Sequence, residues 1–230
     1  MTVPVPDARH SLHAVVTARP LEPVEDVPVP LPSEALLRRF GADEAQIKAF
    51  EARPHARVLH RSGPVGSAAT DAVAARREAL TLAAQHDGLV LDLSVPRLVT
   101  HTVDETDPRA PRQWVALDVE GAGLEGTDVV SHGLTTFGLP ELRCAAVPLQ
   151  ELPATLAVLT GLAHRLLVEW PQNDPLGRAS VTLADIATAM GEPEPPRPDD
   201  GAGYGIDVRL KLRGGELAVT VLGDAAALFT

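Results

Sequence analysis

The sequence contains one cysteine, Cys144, so it can close no disulfide within the chain and build no thiolate metal cluster. A reducing compartment, the cytoplasm, is expected. Aromatic residues make up only 3% of the chain, four Phe, two Trp and one Tyr. Seven rings are too few for the stacked platforms that hold single-stranded nucleic acid, and they are expected as core anchors. Lysine is almost missing, with only Lys48 and Lys211, and 20 basic residues face 31 acidic ones, for a net charge of -11 and a pI near 5.1. That balance argues against a nucleic-acid partner, because phosphate backbones are bound through Lys and Arg that displace counterions. No stretch reaches the about 18 consecutive apolar residues of a membrane span. The opening Met1-Thr2-Val3-Pro4-Val5-Pro6-Asp7 has neither the basic nor the apolar part of a signal peptide. Neither export by that route nor membrane insertion is expected.

What the chain does have is apolar mass: 45% hydrophobic residues over 230 positions is ample for a packed core. Its arginine and alanine bias is that of a GC-rich bacterial genome. The expected organisation is a single α+β domain over 1–230, with a proline-rich arm at 19–32 and an acidic Pro/Gly loop at 192–203.

Leu12 to Ala18 reads as a strand. Ser33 caps a short helix that Gly41 ends, and Asp43 starts a second that runs to Pro54. A strand-helix-strand unit follows: Ala56–His60, Ser67–His86 and Leu89–Leu93, a crossover or split crossover. In its helix Ala69, Val73, Leu80 and Ala83 or Ala84 form the apolar stripe, with Asp71, Glu78 and Gln85 opposite. Gln113–Val119 and Glu141–Val147 read as strands, Leu149–Trp170 as a helix with Pro153 in its first turn, and Thr182–Gly191 as a capped helix. Ile206–Leu212 and Glu216–Leu222 alternate across Gly214-Gly215, a β-hairpin whose edge is available for dimerisation. Strands and helices mix without strict alternation, which predicts a mixed, largely antiparallel sheet with helices packed on it.

Few residues form a chemical pattern. Gly63-Pro64-Val65-Gly66-Ser67 precedes a helix, where amides and the helix dipole hold anions, so Gly63, Gly66 and Ser67 are candidate ligand contacts. The loop lacks the lysine of a P-loop, and Ser67 is expected as the N-cap. Gly201-Ala202-Gly203-Tyr204-Gly205 leads into a strand and reads as a loop. Of the eight histidines, His10 and His13 stand three apart in a segment expected to be disordered or extended, where that spacing sets them on opposite faces, and no His-Glu-x-x-His pair exists. His132 is followed nine residues later by Glu141, a candidate acid–base dyad should the two converge. Cys144 falls in an apolar strand and reads as core. Asp104–Asp107 and Asp199-Asp200 lack the ligand order of a calcium loop. No catalytic residue is assigned, and neither a metal nor a cofactor is expected.

The densest turn chemistry lies in Ser131-His132-Gly133-Leu134-Thr135-Thr136-Phe137-Gly138-Leu139-Pro140-Glu141-Leu142, where Gly133, Phe137, Gly138 and Pro140 are expected to shape the backbone. Together with Asp87-Gly88-Leu89-Val90-Leu91-Asp92 and Leu149-Gln150-Glu151-Leu152-Pro153, it resembles bacterial domains of unknown function. In those, Thr-x-Gly-Met/Leu precedes Phe/Tyr-Gly-x-Pro-Glu-Leu. The resemblance covers about His55 to Trp170, and Ser131-His132 stands where the family has threonine-arginine. A more distant similarity is to suppressor-of-fused-type domains, whose bacterial members bind proteins and are associated with immunity against toxins. What it implies here is a non-catalytic immunity-like or adaptor module with a protein partner, and the acidic balance favours a basic one. The alternative is a small-molecule or phosphate-binding enzyme using the 63–67 helix start or the His132/Glu141 pair.

Overall fold

The computed structural model describes residues 2–22, 31–123, 126–192 and 205–229. Residues 23–30 of the proline-rich arm and 193–203 of the acidic loop, Asp199, Asp200, Gly201 and Gly203 among them, lie outside that set. The architecture is α+β. Where the sequence reads as a single domain, the contacts divide the chain into two compact units, Asp7–Pro108 and Arg109–Thr230 together with Met1–Pro6.

In the unit 7–108, strand β1 (Arg9–Thr17) lies between β2 (His55–Gly63) and β3 (Leu89–Asp92), antiparallel to both, and β4 (Arg97–Leu98) pairs with β3. β2 and β3 are thus parallel with β1 inserted between them, and helix α3 (Ala68–Gln85) joins them: the crossover is split. Helices cover both faces. Leu37 of α1 (Glu34–Arg39) and Ile47 of α2 (Glu44–Glu51) pack with Ala14, Val16 and Leu91, while Ala79 and Ala83 of α3 pack with Val15 and Val90. Two-sided burial is why Ala14-Val15-Val16 is continuously apolar instead of alternating. The short helices begin where their caps require it. Ser33 Oγ accepts from the Leu36 amide at 3.3 Å, and Asp43 and Gln46 exchange reciprocal bonds of 2.8 and 2.9 Å.

The phase of α3 differs from the sequence expectation. Its buried face is Ala68, Ala72, Ala75, Arg76, Ala79 and Ala83, whereas Ala69 and Ala84 are exposed and Val73 and Leu80 lie on the flanks. A stripe weighted by apolar size slips by one position, about 100° of helix, because the largest inward side chain is an arginine.

The second unit starts with a helical turn, α4 (Pro111–Trp114), then β5 (Ala116–Gly123), β6 (Gly126–His132), a 3-10 turn (Leu134–Phe137) and β7 (Leu142–Val147). Helix α5 (Leu152–Glu169), β8 (Gly177–Thr182), α6 (Leu183–Met190), β9 (Gly205–Arg213) and β10 (Glu216–Val221) complete it. The sheet order is β5-β6-β7-β10-β9-β8; β7 and β10 are parallel and the other described pairs antiparallel. Three expectations change. The strand expected from Gln113 starts at Ala116, because Pro111 opens a helical turn that buries Trp114 edge-on against Phe137 at 5.4 Å. β6 occupies residues between the two expected strands. The β9–β10 hairpin, whose Gly214 and Gly215 both have positive φ, is interior, and the sheet edges are β5 and β8.

α5 is long and apolar enough, by length and composition alone, to cross a membrane. In the fold it is a core helix, with Val158, Leu159, Leu162, Ala163, Leu166 and Leu167 buried. It approaches β8 and α6 closely at Gly161, where an added Cβ would lie 2.8 Å from Val181 Cγ1 and from Ile186 Cγ1 and 3.2 Å from the Ile186 amide nitrogen. Overpacking outweighs the helix propensity gained, so Gly161→Ala is expected to lose about 2 kcal/mol in urea unfolding followed by Trp114 and Trp170 fluorescence. An unchanged midpoint would show that α6 gives way freely.

Candidate functional site

At the expected anion seat before α3, the chain supplies its own anion. Asp71, in the first turn, accepts the Ser67 hydroxyl at 2.6 Å and pairs with the buried Arg9 guanidinium. Those two partners, the Ser67 hydroxyl first, hold the Asp71 carboxyl below its usual range. Ser67 therefore does not cap the backbone as expected: its hydroxyl makes no cap bond to α3. An added Cβ at Gly63 would lie 3.0 Å from Asp71 Oδ2, while Gly66 faces open space. A phosphate at this helix start would meet an intramolecular carboxylate already in place.

The His132/Glu141 pair does not form, and strand alternation gives the reason. Ser131 and His132 point to opposite faces of β6, and Glu141 sides with Ser131. The Glu141 carboxylate accepts from Ser131 Oγ (2.6 Å), the Gly133 amide (2.8 Å) and the Thr135 amide (3.2 Å), while Ser131 Oγ accepts from the Leu142 amide at 2.7 Å. Gly133 and Gly138 both have positive φ, Phe137 and Leu139 are buried, and Pro140 precedes the carboxylate that holds the turn together. Glu141 is a clamp on the turn, with both oxygens engaged.

His132 instead faces β5. Its Nε2 lies 3.6 Å from Asp118 Oδ2, and Asp118, Glu120 and His132 bring one ligand atom each within 4.8 Å of one another. Asp118 and Glu120 are two apart on one face of β5, and Ala116 opposite His132 in the register sets the imidazole diagonally beside Asp118. The same face continues across the sheet. Arg143 of β7 donates to Glu216 (2.7 and 3.2 Å) and Asp128 (3.1 Å), with a longer reach to Glu120 (3.4 Å). The bonds to Glu216 raise the guanidinium pKa further. Helices α5 and α6 pack on the opposite face, leaving Arg178, Arg209, Lys211 and Arg213 exposed on β8 and β9. The outer face is thus acidic toward β5–β7 and basic toward β8–β9. The sequence holds the signal for it, an Asp-x-Glu at alternate strand positions, but His132 joins them only through the β5–β6 register.

The chain matches no protein-family model, no curated protein and no solved structure.

A second polar assembly is buried in the unit 7–108. His13, Asp92 and Arg97 form one cross-strand row on β1, β3 and β4, beneath Arg76 of α3. The Arg76 guanidinium pairs with Asp92 and donates from Nε to His13 Nε2 at 3.3 Å, with 0% of the Arg76 side chain and 4% of the Asp92 side chain exposed. Asp92 Oδ1 also accepts the Ser94 and Val95 amides. Burial lowers Arg76 to about 10 and His13 to about 4; His101, beside the row, also falls to about 4, through burial and then the two guanidiniums. In the sequence His13 stands out only by its spacing from His10. His10 Nδ1 in fact lies 3.0 Å from His60 Nε2, with the rings stacked. Cys144 is buried, and burial pushes its thiol up, away from nucleophilic use.

Proposed function

We propose that this chain is a non-catalytic, cytoplasmic protein-binding module whose partner presents a basic surface. The observation that carries this reading is the face of the six-stranded sheet opposite α5 and α6, where Glu120, Asp128 and Glu216 gather around Arg143 and Asp118 stands beside His132. An acidic field of that kind speeds encounter with a basic partner and fixes its orientation. Two further facts support it. Two of the groups singled out from the sequence, the ligand candidate Ser67 and the acid–base candidate Glu141, are committed to holding the chain's own turns. The distant similarity to suppressor-of-fused-type domains also points to protein binding.

The test is affinity capture with the full chain in EDTA, comparing wild type with a Glu120→Lys, Glu216→Lys double variant whose folding is checked by circular dichroism. One specific partner is expected at about 50 mM salt, with loss at several-fold higher salt and at least tenfold weaker retention by the variant. Recovery of no specific protein at either salt, or equal recovery by the variant, rejects the reading.

A further inference from the structure

We propose that Asp118, Glu120 and His132 form a binding site for a divalent transition-metal ion, zinc or manganese by donor chemistry, on the outer face of the six-stranded sheet. This goes beyond the protein-binding reading and does not depend on it.

The geometry comes from a regular ladder. The alternation of β5 sets both carboxylates on one face, and the β5–β6 register sets the imidazole diagonally opposite. The separation of His132 Nε2 from Asp118 Oδ2, 3.6 Å, is too long for a hydrogen bond. It is close to the roughly 3.4 Å edge between two ligands that each lie about 2.0–2.1 Å from a tetrahedral ion. The full set spans 4.8 Å at most, which exceeds that tetrahedral edge by roughly 1.4 Å. Glu120 closes that gap with a small side-chain rotation, for it is 41% exposed and its bond to Arg143 is the longest of that guanidinium's contacts.

Electrostatics favours a cation at the same point. Arg143 is the guanidinium beside the group, and its short bonds go to Glu216 and Asp128, away from Asp118. Asp118 and Glu120 together carry the two negative charges that a divalent ion neutralises. The Asp118 side chain is only 10% exposed, so the ion would sit where water screens it little. One imidazole nitrogen with two carboxylate oxygens suits zinc or manganese and gives magnesium and calcium, which prefer all-oxygen shells, no advantage. Three protein ligands are the count of an open site, with a coordination position left for an outside ligand.

The experiment is calorimetric titration of Zn²⁺, Mn²⁺ and Mg²⁺ into the EDTA-stripped, dialysed full chain. Wild type is expected to take one zinc ion, manganese more weakly and magnesium weakest. His132→Gln and Asp118→Asn should each weaken zinc at least tenfold, while His60→Gln, which disrupts the exposed His10–His60 pair in the other unit, should leave it unchanged. X-ray absorption of the zinc form should report one imidazole with oxygen neighbours. His132 is partly exposed, so His132→Gln decides the matter even if Asp118→Asn fails to fold. Zinc binding that survives His132→Gln, that is lost in His60→Gln, or that is weaker than about 1 mM in wild type overturns the proposal.

Discussion

Asp92→Asn is expected to remove about 4 kcal/mol of stability from the unit 7–108, most of what a small domain possesses. Asparagine keeps the size of the side chain and an oxygen for the Ser94 and Val95 amides, so the turn after β3 is preserved. It removes the charge that faces Arg76, whose side chain has no solvent exposure, and Arg97, which shares its field. The surroundings offer little replacement. Arg97 Nη2, His13 Nδ1 and His101 Nε2 are buried without a protein hydrogen bond among the described residues. Because His13 Nε2 accepts from Arg76, the neutral ring carries its proton on Nδ1, one more donor. Asp92 is therefore the acceptor on which a donor-rich cluster depends, and an unpaired buried guanidinium costs far more than the pair contributes. The double variant Arg76→Met, Asp92→Asn should recover more than half of the loss, since an apolar side chain of similar length leaves no such charge under α3. Both tryptophans, Trp114 and Trp170, belong to the other unit. Unfolding of 7–108 should therefore be followed by amide exchange in α3 across a urea series. A loss under about 1 kcal/mol for Asp92→Asn, or no recovery in the double variant, would show that the pair is not what fixes this seam.

That seam also marks where sequence reading stops. Local signals are carried by neighbours in the chain and were legible: Ser33, Asp43 and Thr182 as caps, Gly191 as a left-handed terminator, and Gly214-Gly215 as the hairpin turn. Pairing over long separations was not. Arg76 lies outside the apolar stripe that the sequence suggests for α3; β1 supplies His13 and β3 supplies Asp92, and its inward position is what shifts the face of the helix. Glu141 looks available for chemistry because its nine-residue spacing from His132 hides the sheet between them. Asp118 falls within the strand expected over Gln113–Val119 and Glu120 just beyond it, and neither stands out in the sequence. Their meeting with His132 follows from β6, a strand masked by the glycines around it. In each case the local pattern was right or nearly so, and the partner was set by register, which one sequence does not encode in any short window.

Acidification from pH 7 should destabilise the unit 7–108 well before carboxylates are titrated in bulk, and His13 is the main cause. Burial holds it near 4 in the folded state against 6.5 unfolded, with Arg76 and His101 pushing the same way and Asp92 opposing. A depressed histidine pKa means that the unfolded chain binds the proton first. The contribution of neutral His13 is complete above 6.5, declines as pH falls through the interval, and is gone below about 4. Over that span the difference amounts to about 3 kcal/mol. His101 acts in the same direction over the same interval, but it is only partly buried, so its share is smaller. His13→Gln keeps an oxygen positioned to accept from Arg76 Nε and removes the titration. It should flatten most of the pH dependence while costing little at pH 7. The measurement is the urea midpoint of 7–108, read by amide exchange in α3 at steps between pH 7 and pH 4.5, with the His13 imidazole titrated in parallel by NMR. A His13 that protonates near 6.5 in the folded protein, or a glutamine variant as acid-sensitive as wild type, would refute the burial argument. If instead the glutamine variant loses its pH slope and Asp92→Asn still unfolds the unit at pH 7, two separate physical terms hold this sheet against α3. One is the ion pair, present throughout this range, and the other is the neutral imidazole, whose contribution is complete above 6.5 and fades as the pH falls toward 4.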